Sequence, residues 1–287
     1  MLKTNKDVLP IISVQGAVSS PLSRGNGAKI NCDGYPEFFP GTGGILYNVK
    51  VGDNACKWVG DHLEPGVSSK NSDEAKNGAY MIYSCVGNEA TVVSGDAKGA
   101  KGVVIGKHGG IDHVMIHFDD ETLEKLLIDD KIQVKACGQG MKLENHPEVI
   151  LRSVSPKLLE SMNIVEKDGK LQIGVAKLVP AAVMGSGLGH VSTAGGDYDI
   201  TLHDKKITKE YGLDELRFGD IVAIMDADNR FGRNYMTGAV TIGVISHSDC
   251  IIPGHGPGVT TLMSALDGKI EVFVDPKANL KDILALS

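Results

Sequence analysis

Apolar and polar residues alternate with period two in many short runs of this chain. The runs cover 11–18, 45–51, 79–86, 90–93, 102–106, 113–118, 131–137, 149–154, 171–179, 198–202, 220–226, 238–246 and 270–275. They are rich in Val and Ile and bounded by Gly or Asp, which predicts strands. Helical spacing is rarer. Residues 119–129 open with carboxylates and carry Leu at i, i+3/i+4. Residues 155–162 have Ser155 as cap and Pro156 at the first helical position. Residues 279–286 form the third candidate. The pattern predicts a mainly β (α+β) fold with two β-rich, barrel-like subdomains and a few short helices. The polar stretch 163–170 holds an Asp168-Gly169 turn signal and is the expected boundary between residues 1–162 and 163–287. One intertwined β fold is the alternative.

Composition narrows the classes. Glycine is frequent, 36 of 287 residues, so many tight turns are expected. The net charge is −7 and aromatics are 5%, which argues against nucleic-acid binding. The stretch 91–106 resembles the small-barrel motif of ribosomal proteins (the KOW type). With an acidic chain, a glycine-turned hairpin is the preferred reading. No run approaches the roughly 18 apolar residues of a membrane span, and no signal peptide is seen. Five scattered cysteines, none in a CxxC pair, read as reduced thiols. A cytoplasmic protein without nucleic-acid or membrane partners is expected.

Candidate chemistry gathers in four glycine-rich segments. HSDCIIPGHGPG (247–258) offers His247, Asp249 and His255 as metal ligands, with Cys250 between them. MDADNRFGRNYMTG (225–238) offers Asp226 and Asp228 one residue apart, with Arg230 and Arg233 for an anionic group. A nine-residue strand, about 30 Å long, separates these two loops, so they meet only if it bends. MGSGLGHVSTAGGDYDI (184–200) resembles a phosphate-cradling loop and adds Gly187, Gly189, His190, Asp197 and Asp199. KHGGIDHVMIHF (107–118) puts His113 and His117 on one strand face as a possible metal pair. The loop 23–45 adds Arg24 and Asp33.

Together GSGLG, GGDYDI, LRFGDIVAIMDADNRFGRNYMTGAVTIGVISHSDC and GHGPGVTT resemble an uncharacterised bacterial family known only as a domain of unknown function. More distantly, Gly195, Gly196 and Asp199 resemble the GGN-x-D element of the acetamidase/formamidase family. Leu216 and Gly219 are similar to its next strand opening, and Asp226 and Asp228 fall near its Asp/His loop. Where that family has GDGE, this chain has Thr237-Gly238-Ala239-Val240. The likeness implies a β-rich architecture and, less directly, amide hydrolysis.

The functional expectation is a metal-dependent hydrolase acting on a small amide or related carbonyl substrate. Asp226, Asp228, Arg233 and His255 are the expected catalytic residues. Arg230, Gly187, Gly189, His190 and Gly256 would bind substrate, with loop amides of 185–189 or 254–258 stabilising negative charge. His247, Asp249 and His255 would hold a divalent ion, zinc or magnesium. The alternative is a non-catalytic protein whose glycine loops bind a small molecule or anion. A homo-oligomer is expected in either case.

Overall fold

In the computed structural model, which describes residues 2–22 and 28–287, the protein is mainly β with a few short helices. Arg24 lies outside the described residues. Six strands close a barrel in the order Ile12–Val18, Val67–Lys70, His113–His117, Lys101–His108, Glu89–Val92 and Lys131–Ala136. Every pairing in it is antiparallel. The 91–106 stretch is the expected hairpin, with Glu89 opposite Val103. Closure removes the exposed sheet edges, and Val67, Val104, Ile116, Ile132 and Val134 fill the interior.

The C-terminal half is built on a sheet ordered Lys177–Pro180, Ile221–Asp228, Asn234–Ile245, Gly258–Ala265 and Asp197–Asp199. Ile150–Leu151 also pairs with Gly258–Ala265. Alternation along Ile221–Asp228 sends Ile221 and Ala223 into one core and Val222 and Ile224 into another. The sheet is therefore covered on both faces. A smaller sheet joins Ile164–Lys167, Lys170–Val175 and Ile270–Val274. The 163–170 stretch is thus largely a hairpin, and Asp168 and Gly169 both take positive φ at its turn.

Local readings failed in identifiable places. Residues 79–86 read as a strand, yet Glu74–Tyr83 is a helix capped by the Asp73 carboxylate, which accepts from Lys76 N. Tyr80 is fully buried, its hydroxyl 2.8 Å from Ser69 Oγ. It packs over Gly16, where a Cβ would meet its ring at 2.7 Å. The helix Lys205–Tyr211 and the strand Gly258–Ala265 carry no clear local period, and 45–51 forms no named strand.

One side chain ties barrel to sheet. Thr260 Oγ1 accepts from Lys107 N at 3.0 Å and donates to Lys107 O at 3.1 Å. Both partners are fully buried. Thr260→Val keeps the shape but leaves a buried N–H and C=O unpaired. It is expected to cost about 1–3 kcal/mol in urea unfolding. An unchanged midpoint and slope would mean the tie contributes nothing.

Candidate functional site

Asp197 and Asp199 alternate on one short strand, so both carboxylates face the same side. That side is the floor of a cavity of about 620 Å³ between barrel and sheet. Asp197 Oδ1 accepts from Gly109 N at 2.7 Å, and Oδ2 lies 2.8 Å from His247 Nε2. Asp199 Oδ1 is 3.5 Å from the same nitrogen. Asp199 Oδ2 is 3.0 Å from His255 Nδ1. One ligand atom each from Asp197, Asp199 and His247 lies within 4.8 Å of the other two.

Three imidazoles approach this floor with their far nitrogens already fixed. His247 Nδ1 donates to Ser248 O at 2.9 Å. His62 Nδ1 is 3.1 Å from Asp61 Oδ1 and His108 Nδ1 is 2.6 Å from Glu64 Oε1. The ring centroids of His108 and His247 are 4.2 Å apart, and those of His62 and His247 5.0 Å. With Nδ1 engaged in this way, Nε2 is the nitrogen turned to the floor, the usual orientation of a metal-bound histidine. His247 Nε2 is close to two carboxylate oxygens yet makes no hydrogen bond of proper direction, and it is buried.

The electrostatics follow from burial. Burial works against an imidazolium at His247, but Asp197 and Asp199 outweigh it and raise its pKa well above the usual value. Burial would push both aspartates up; His247 instead holds them below the carboxylate range. Glu64 is likewise buried but kept low by hydrogen bonds from His108 and His113. Burial lowers the pKa of His62 and His108 and so favours their neutral form. His62 also has φ of 54°, a left-handed backbone uncommon outside glycine.

Two family profiles, described as the N-terminal and C-terminal parts of a domain of unknown function (DUF4438), match residues 28–160 and 161–284. The chain belongs to the DUF4438 family. This DUF4438 chain is also similar to the crystal structure of TM1086, with 45% identity and a TM-score of 0.95. That match covers 100% of this chain and 99% of the other. No curated protein matches. Among the described residues no helix is long and apolar enough to cross a membrane.

Of the residues singled out in the DUF4438 sequence, Gly187, His190, Arg233 and His255 line the cavity, and His247 is buried at its floor. Asp249 does not join the ligand set. Its carboxylate accepts from Cys250 N at 2.8 Å and its carbonyl from His62 N at 3.3 Å, so it shapes the loop. Asp226 and Asp228 lie outside the cavity lining. Asp226, at φ 60°, accepts from Gly238 N and pins a wide bulge where Met225 pairs Val240 but Ala227 pairs Tyr235. Beyond it the hairpin tip folds back over the sheet, and Asn229 Nδ2 reaches Tyr198 Oη and Thr261 Oγ1. The register of the strand Asn234–Ile245 shifts again between Ile242 and Gly243, and Arg233 lies in the cavity wall. Arg230 is forked onto Asp228 within the tip.

Gly189 and Gly256 also lie outside the lining; a Cβ on Gly256 would strike Ile200 O. The amides of Gly185, Ser186, Leu188, Gly189 and His190 already donate to backbone carbonyls, so this loop supplies few donors for substrate. His113 and His117 do not pair. His113 bonds Glu64, whereas His117 lies at the other strand end, 3.4 Å from Ser287 Oγ. Sequence reasoning gave no role to His62 or Glu64 and placed Asp197 and Asp199 only as loop polar groups. The Asp-x-Asp alternation and the dense Asp61-His62-x-Glu64 stretch were the available signals.

Gly258 makes the floor possible, because a Cβ there would lie 2.1 Å from Asp197 Oδ2 and 2.2 Å from His247 Nε2. Gly258→Ala is expected to fold, with unchanged circular dichroism and about 1–3 kcal/mol of overpacking. The His247 ring resonances should move. Unmoved resonances would show that the ring does not depend on this space.

Proposed function

We propose that this protein is a metal-dependent hydrolase of a small polar substrate bearing an amide or related carbonyl group. Asp197, Asp199 and His247 would hold one divalent ion. The carrying observation is His247 Nε2, buried, facing two carboxylates, and without a directed hydrogen bond. An ion held there would face His247 Nε2 and both carboxylates, and its binding would compete with protonation of the ring. Two carboxylates and an imidazole suit zinc, with magnesium the harder alternative. The cavity volume is in the range of small-molecule sites.

The ion would supply Lewis acidity toward a carbonyl or a water. The chain's own groups supply the rest. Glu64 holds His108 by Nδ1, and the ring lines the cavity with Nε2 available to accept and return a proton. Glu64 is fixed in turn by His113, Ser68 Oγ and Gly43 N, so the dyad is rigid. Arg233 is 3% exposed and puts a fixed positive charge in the wall, suited to an anionic substrate group. The distant likeness to acetamidases at Gly195, Gly196 and Asp199 favours an amide.

The test pairs elemental analysis with a screen of small amides, using protein purified without tag or chelator. The parent should carry metal and hydrolyse at least one amide. The Asp197→Asn, His247→Ala double variant should lose the ion held there and fall to the buffer rate. A folded parent that binds no zinc, manganese or magnesium would overturn the reading. So would turnover unchanged in the double variant.

A further inference from the structure

Asp199 faces two different sets of neighbours with its two oxygens. Oδ1 points to His247, and Oδ2 lies 3.0 Å from His255 Nδ1 and 3.8 Å from His62 Nε2. Beyond Oδ2, His62, Cys250 and His255 bring one ligand atom each within 4.8 Å of one another. This group shares no residue with the Asp197–Asp199–His247 group. We propose that His62, Cys250 and His255 form a second metal site, and that Asp199 bridges it to the first in a binuclear centre. The inference rests on the first ion of the proposed function.

The donor set is specific. Two imidazoles and a thiolate select zinc-like ions over magnesium or calcium. Ile252 N donates to the Cys250 sulfur at 3.3 Å, although burial pushes the metal-free thiol up to about 12, so a bound ion would have to displace its proton. Its S–H lies 2.9 Å from Asp61 Oδ1, so the proton released on binding has an acceptor on the way to solvent. Asp61 also holds His62 by Nδ1, turning Nε2 toward His255 at 3.3 Å. One carboxylate therefore positions two of the three ligands. Lys29 pairs with that carboxylate from the cavity side. Two ions bridged by Asp199, about 4 Å apart, would face the attacking water and the carbonyl together.

Cobalt(II) titration of metal-free protein separates the two sites. The parent should bind about two equivalents per chain. One of them should give a thiolate-to-cobalt charge-transfer band in the near ultraviolet. Cys250→Ser should lose that band and bind about one equivalent. His255→Ala, at the half-exposed rim, should weaken the banded site at least about tenfold while keeping the fold. The Asp197→Asn, His247→Ala variant should keep the band. One equivalent without a thiolate band overturns the second site and leaves the proposed hydrolase standing. A band that survives Cys250→Ser also overturns it. No binding at all overturns both.

Discussion

Burying two carboxylates one residue apart is the constraint around which this molecule is arranged. Each would cost several kcal/mol if left unpaired in the interior. Asp197 and Asp199 are both nearly inaccessible, and the surrounding structure answers them from every side. The Gly109 amide donates from the barrel, His247 and His255 come from one loop, and His62 stands at 3.8 Å. Gly258 withholds a side chain that would separate the partners. Arg233 adds a more distant positive charge from the hairpin tip that follows Asp226.

A second tier of acids fixes the imidazoles. Asp61 orients His62, and Glu64 orients His108 and His113. These acids sit three residues apart in an irregular segment, whose irregularity is what aims them in different directions. The left-handed backbone of His62 belongs to the same economy of space: its amide reaches the carbonyl of Asp249, tying the acid-bearing segment to the histidine loop.

Much of the fold was legible because a half-buried strand such as 131–136 alternates strictly, and a strand covered on both faces such as 221–228 reads as a short Val- and Ile-rich run. The capped helix at 156–161 was legible too, from Ser155 and Pro156. The strand Gly258–Ala265 was not, since every residue in it is buried and small polar side chains interrupt its apolar run. The helix Glu74–Tyr83 was misread because its aromatic and β-branched end imitates a strand. The site was half legible. His247 and His255 stand out by type, and Asp249 looks identical to a ligand in sequence. Only the fold shows that Asp249 turns into its own loop, whereas the plainer Asp197 faces the cavity.

The floor draws on segments near positions 62, 108, 197, 233 and 247–255, and it lies where the closed barrel meets the sheet. No stretch of the chain shorter than about two thirds of its length holds all of them. On the ribosome, His62 and Glu64 emerge long before the aspartates that complete their surroundings. Long-range closure of this kind is slow. The assembled cluster can exist only once barrel and sheet have docked, so its geometry serves as an internal certificate that they have done so correctly.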